Sequence, residues 1–317
     1  MRTAALLLLA AAAPAGAETI FVSDEGSSCV WAVDRGTKQA PQCITVGERP
    51  RGLGLSRDGK RLYVAVSNRD AIVVVDTASR KVVRTFKSGS DPETFALSPD
   101  ESRIYIANED ANLLTVISTA SGKVEREVEV GGEPEGTAVS PDGETIVQTS
   151  ETSSMAHVIN AATGKLRANL MVDSRPRFVT FTPDGKRFWV SSEVRGTVEV
   201  FDAATFARLG KIDFEAAKLT DGVIQPVGIR FTRDGKKAFV ALGRAKLVAE
   251  VDPQTLRIRR TWPVGFRAWN LALSPDETRI YTADGLDGTM SIIDLKANKA
   301  LPPTKLGGKP WGIEVVR

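Results

Sequence analysis

Downstream of Pro50 the hydrophobic positions fall into four short runs separated by turn-forming residues. Gly52-Leu53-Gly54-Leu55-Ser56 is a short apolar run, and Arg57-Asp58-Gly59-Lys60 is a tight turn. Arg61 to Ser67 is rich in β-branched and aromatic residues, and Asn68-Arg69-Asp70 interrupts it. Ala71 to Asp76 is almost continuously apolar; Thr77 to Arg80 turns the chain, and Lys81 to Lys87 alternates. Runs of this length with turn signals at short spacing predict an antiparallel meander of four strands. The unbroken Ile72-Val73-Val74-Val75 predicts a strand covered on both faces, as when sheets stack radially. The half-polar Lys81–Lys87 run predicts an outer, half-exposed strand.

The same pattern recurs down the chain. The turn aspartate returns at Asp58, Asp100, Asp142, Asp184, Asp234 and Asp276, at intervals of 42, 42, 42, 50 and 42. An upstream proline keeps step at Pro50, Pro92, Pro134, Pro176, Pro226 and Pro310, with Ala268 in its place once. A period of about 40 to 50 residues belongs to propellers or solenoids. The turn itself is chemically specified. Pro-Asp-Gly at 141–143 and 183–185 pre-sets φ with proline, lets Asp bond local backbone and uses Gly for positive φ. Glu101 and Glu277 replace that glycine, which predicts mildly strained turns there.

The two ends of the chain hold complementary fragments of one more repeat. Lys309 to Val316 reads as a first strand with nothing after it. Ile20 to Val22, Val30 to Asp34 and Cys43 to Val46 read as the second, third and fourth strands. Asp34 lies 42 residues before Asp76, so the register holds. The fold expected is all-β: a seven-bladed β-propeller of four-stranded antiparallel blades, its last blade closed by both terminal segments, with helices nearly absent.

Residues 1–17 read as a signal peptide. Arg2 is the positive start, Ala4 to Ala13 the apolar stretch, and Ala15-Gly16-Ala17 a small-residue cleavage site. The apolar run is too short to span a bilayer, which needs about 20 helical residues. A single domain over 18–317, exported to the periplasm, is expected, without membrane insertion and monomeric. Without Arg2 the chain carries 41 basic against 39 acidic side chains, a balance with no footprint for nucleic acid. Its two cysteines, Cys29 and Cys43, fall in facing strands, and in an oxidising compartment they are expected to pair.

First strands should line the central channel, so the residues flanking the periodic proline should ring its mouth. That ring reads Arg49 and Arg51, Asp91 and Glu93, Glu133 and Glu135, Arg175 and Arg177, Gln225 and Val227, Arg267 and Trp269, Lys309 and Trp311. Two acidic blades are flanked by two doubly basic ones. On one reading the charges neutralise each other, Arg51 with Glu93 and Glu135 with Arg177. On the other the ring is a binding mouth. Arginine pairs suit carboxylates or phosphates, and Trp rings suit flat or sugar-like ligands. The acidic blades lack the Asp/Asn/Gly spacing of a calcium loop, and no metal site or cofactor is expected. Eight extra residues within about Asp213 to Gly222 fall on the same face, where Glu215 to Leu219 is read as one helical turn across the mouth. His157 falls where other blades are apolar and is read as a packing residue; no catalytic residue is assigned.

The repeat resembles the YVTN-type seven-bladed β-propeller family over the whole chain after residue 17. The likeness rests on the Ser-Pro-Asp-Gly turn, the second strand Tyr105 to Asn108 and the Val-x-Val-x-Asp third strand. Within that family the signal peptide, the Cys29–Cys43 hairpin and segments such as Glu133-Pro134-Glu135-Gly136 and Arg175-Pro176-Arg177-Phe178 are most similar to exported propellers associated with pyrroloquinoline-quinone-dependent (PQQ-dependent) alcohol catabolism. The resemblance implies a non-enzymatic periplasmic binding or scaffold protein, accessory to that oxidation, with a quinoprotein dehydrogenase or cytochrome as partner. Two alternatives stay open: a lactonase-like propeller hydrolase working through Glu93 and Glu135, and a carrier of a small anion such as the quinone, held by Arg49, Arg51, Arg175 and Arg177.

Overall fold

A computed structural model describes residues 18–317; the segment read as a signal peptide lies outside the described residues. Seven four-stranded antiparallel sheets follow one another round a central axis. Blade 1 runs Pro50–Leu55, Arg61–Val66, Ala71–Asp76 and Lys81–Lys87, within a residue or two of the pattern read from hydropathy. Its third strand is buried and its fourth mostly exposed, as the unbroken and alternating runs require. Among the described residues the one helical element is a short 3-10 turn, Ser67–Arg69.

The seventh blade is composite. Pro310–Val316 pairs with Glu18–Asp24, which pairs with Cys29–Arg35 and then Gln42–Thr45. Drawing strands from both ends into one sheet completes the seventh blade and closes the ring. Asp24, fully buried, staples the seam: its carboxylate accepts hydrogen bonds from the Trp31 indole at 2.9 Å and from the Lys309 backbone N–H at 2.5 Å. Cys29 and Cys43 are joined by a disulfide, Cα to Cα 5.4 Å. They lie diagonally and not directly opposite, because Cys29 faces Thr45 and Trp31 faces Cys43.

The hydrophobic core is divided into clusters wedged between neighbouring blades. The largest lies between blades 4 and 5, where Trp189 and Phe231 meet edge to face, centroids 5.0 Å apart. Phe214 and Ile224 from the inserted segment belong to it. The glycine-less turns behave as read: Glu101 and Glu277 sit at φ 58° and 55°. Each uses its carboxylate on the preceding blade, Glu277 accepting from the Arg233 backbone N–H at 2.7 Å and Glu101 from that of Arg57.

At the axis the first strands approach so closely that the residue two after the periodic proline is constrained. A Cβ on Gly52 would meet the Glu93 carbonyl at 2.7 Å, and one on Gly312 the Arg51 carbonyl at 2.6 Å. Thr94 and Asn270 fit the same position by donating hydrogen bonds to the carbonyls of Glu135 and Trp311 in the next blade.

The disulfide closes a loop of sequence separation 14 within the composite blade, which corresponds to about 3 kcal/mol. The Cys29→Ser/Cys43→Ser variant is expected to unfold at clearly lower denaturant concentration than the oxidised protein. Equal midpoints would show that the clasp does not depend on it.

Candidate functional site

The mouth residues are placed by a repeated backbone device. In six blades the first strand carries one extra residue just after the periodic position, for example between Pro50 and Leu53 opposite Val66 and Val64. Such a bulge re-aims the side chain next to it. The residue before that position is left-handed in five blades, Arg49, Asp91, Glu133, Arg175 and Arg267, with φ between 51° and 64°. Together the two features bring the charged pairs flanking the proline to the axis.

What assembles there is an ion-pair network. Arg49 donates to both oxygens of Asp91, at 2.7 and 2.8 Å, and to Glu93 Oε1 at 2.9 Å. Arg51, buried, donates from Nε to Glu93 Oε2 at 2.7 Å and from Nη1 to Glu25 at 2.9 Å. Arg177 is buried between Glu151, Glu135 at 3.3 Å and Glu193 at 3.2 Å. Arg175 reaches Glu151 at 2.7 Å, and Arg267 bonds Glu193 and Gln225. Trp269 and Trp311 lie 6.2 Å apart, with Arg267 3.9 Å and Arg177 5.0 Å from the Trp269 ring and Arg51 4.9 Å from that of Trp311.

The pairs Arg51–Glu93 and Arg177–Glu135 are therefore formed as read from sequence, inside a larger set. Glu25, Glu109, Glu151 and Glu193, from the loops between second and third strands, supply the acids that the ring reading missed. Their signal was present, since Glu109, Glu151 and Glu193 repeat at the same interval of 42 and Glu25 precedes Glu109 by two periods. Glu133 and Lys309 stay exposed at the rim, outside the network, and Val227 is buried.

Seven carboxylates (Glu25, Asp91, Glu93, Glu109, Glu135, Glu151, Glu193) thus meet five guanidiniums (Arg49, Arg51, Arg175, Arg177, Arg267). The acid excess shows in the titration of two groups. Burial, reinforced by Glu93, Glu135 and Asp91, pushes Glu109 from its ordinary 4.5 up to about 8. Burial pushes Glu135 up to about 7 against the pull of Arg177 and Arg51. For Arg51, burial would lower the pKa, but Glu93, Glu135 and Glu25 outweigh it and hold it charged. One oxygen each of Asp91, Glu93 and Glu109 lie within 4.8 Å of one another, a spacing open to a cation. Arg49 already contacts all three, at 2.7, 2.9 and 3.8 Å, and supplies the positive charge there.

Each of the four arginines read as an anion site is engaged with carboxylates, so an incoming tricarboxylate would have to displace them. The single turn expected at Glu215 to Leu219 forms, starting two residues earlier. Asp213 to Lys218 makes a hydrogen-bonded turn, Ala217 N–H to Asp213 O at 3.3 Å. Phe214, fully buried between blades 4 and 5, pulls it into the core, and Glu215 caps the Ile224 N–H at 3.1 Å. His157 packs as read, accepting from the Gly131 N–H at 2.9 Å and bonding Asn169 at 2.7 Å.

Fold and site together define a seven-bladed repeat propeller with a self-paired ionic mouth. A family model described as YNCE-like beta-propeller matches residues 22–140. No curated protein sequence matches the chain. Among solved structures, the periplasmic gluconolactonase of Pseudomonas aeruginosa is 20% identical with a TM-score of 0.79, covering 95% of this chain and 99% of that one. Hydrazine synthase of Kuenenia stuttgartiensis is 23% identical with a TM-score of 0.74, covering 87% and 92%. A functionally unknown protein from Desulfotomaculum acetoxidans is 16% identical with a TM-score of 0.80, covering 94% and 99%. At these identities the likeness is one of fold.

Both raised carboxyls bind a proton more tightly folded than unfolded. Their contribution to stability is therefore full below about pH 4.5 and is lost as pH rises through 7 to 8. Glu109→Gln removes the Glu109 share of that decline. The variant is expected to match wild type at pH 5 and to melt at higher temperature at pH 8.5. Parallel curves across the range would contradict it.

Proposed function

We propose that this protein is an exported, non-catalytic propeller that binds a protein partner through its mouth face. The observation that carries this reading is the burial of the carboxylates nearest the axis. Glu93 and Glu135 are 0% and 1% exposed and are held against Arg51 and Arg177. A general acid or base must come within hydrogen-bond reach of its substrate's proton. These two are engaged with guanidiniums, and using them would break a buried ion pair. What reaches solvent around them suits recognition. Arg175 is 49% and Arg49 33% exposed, with Glu133 and Lys309 beside them. Met171 at the end of a fourth strand, and Val194 and Leu286 in loops, expose apolar side chains at the same end.

The Ala-Leu leader and the Cys29–Cys43 disulfide favour an oxidising compartment. The resemblance to propellers associated with PQQ-dependent alcohol catabolism makes a periplasmic quinoprotein dehydrogenase, or its cytochrome, the partner to test first.

A second reading rests on Glu109, a half-buried carboxyl at the mouth that stays protonated near neutral pH and suits a general acid. A periplasmic gluconolactonase shares the fold. The two readings separate in one pair of assays. Tagged protein captured from native periplasm is expected to retain a quinoprotein dehydrogenase or cytochrome, lost in Arg175→Glu/Lys309→Glu, and to leave glucono-1,5-lactone hydrolysing at the solvent rate. Lactone turnover abolished by Glu109→Gln would replace binding with catalysis.

A further inference from the structure

Below the ionic mouth the channel widens into a cavity of about 460 Å³ that runs along the first strands to the turn prolines Pro141 and Pro183. This volume lies within the roughly 300–1,000 Å³ usual for small-molecule pockets. None of the five mouth arginines lines it, and its inner end is the crowded layer of Gly52, Thr94, Asn270 and Gly312. Its walls are mixed: Leu55, Leu97, Val139, Phe178 and Phe181 supply apolar surface, and Thr137, Thr180 and Thr182 supply hydroxyls.

The repeat shows how the space arises. Four residues after the periodic position stand Gly54, Ala96, Ala138, Thr180 and Ala272, all small, and their size leaves the channel open. In blades 5 and 7 the same position is Arg230 and Glu314, paired at 3.0 Å. Nothing in the blade pattern requires a charge there, since five blades hold the position with a small side chain.

The pair is unevenly matched in hydrogen bonds. Arg230 uses Nη2 on Glu314 and places Nη1 3.4 Å from the Ile229 carbonyl, while Nε makes no hydrogen bond. The guanidinium lies over the Phe178 ring at 5.5 Å, which holds it against the wall of the cavity. The Arg230 side chain is 30% exposed at the cavity wall, and its Nε–H edge, without a protein partner, suits a carboxylate. Burial pushes the Glu314 carboxyl up against the pull of Arg230.

We propose that this lower section of the channel binds a small aromatic carboxylate, its ring packed on Phe178, Phe181 and Leu97 and its carboxylate on the free edge of Arg230. The site is on the far side of the mouth network and stands whether or not the mouth binds a protein.

The test uses the intact protein with 2-naphthoate, followed by fluorescence anisotropy, beside its uncharged counterpart 2-naphthalenemethanol. Wild type is expected to bind naphthoate saturably at one site. Arg230→Gln should weaken naphthoate about tenfold or more and leave the alcohol little changed. Ala138→Trp, which fills the cavity from blade 3, should remove both, and Arg175→Glu at the mouth should alter neither. Circular dichroism melts of the variants verify that each is folded. Absence of saturable binding, undiminished binding by folded Ala138→Trp, or equal weakening of acid and alcohol by Arg230→Gln would overturn the proposal.

Discussion

The structure depends on how charge is held where seven blades converge. Arg51 and Arg177 are 6% and 5% exposed, Glu93 and Glu135 0% and 1%. Each alone in that setting would carry a large desolvation cost, and together they offset it only through close, bonded geometry. The bulge after the periodic proline and the glycine or hydrogen-bonding residue next to it create that geometry. The inner strands must touch for the guanidiniums of one blade to reach the carboxylates of the next. Packing at the axis and pairing at the mouth are therefore one constraint, and the interblade cores follow from it.

In a repeat protein, function shows as departure from the repeat. Turn aspartates and third strands recur because every blade needs them. The mouth does not repeat from blade to blade, with acids in blades 2 and 3, arginines in 1 and 4, and tryptophans in 6 and 7. Deeper in the channel only blades 5 and 7 break the small-residue pattern, with Arg230 and Glu314. Two stations of different chemistry thus share one axis: a polar face locked by its own pairs and a cavity of mixed lining with one under-used guanidinium.

Much of this was legible in the chain itself. The fixed interval fixes blade count and closure, since a period of 42 with complementary end fragments has one closed solution. The mouth residues follow from counting two positions about a proline. The partners Glu109, Glu151 and Glu193 carried the same interval but sit in loops, where hydropathy gives no signal and only geometry brings Glu109 to Arg49 and the other two to Arg175, Arg177 and Arg267. The inserted segment was misplaced because Phe214 looks like one apolar residue in a polar loop; its burial depends on the gap between blades 4 and 5, which no local pattern encodes. The disulfide was expected, and its diagonal placement depends on a strand register that turn spacing leaves open by one or two residues.

The mouth charges act as one unit, and a double-mutant cycle on Arg51 and Glu93 measures that directly. Glu93→Leu and Arg51→Met should each destabilise the protein by about 3 kcal/mol, because each takes the closest partner from a buried charge, leaving Arg51 with Glu25 alone or Glu93 with Arg49 alone. The double variant should lose much less than the two losses combined. Losses that simply add would show that the pair is not coupled and that the mouth is held by something else.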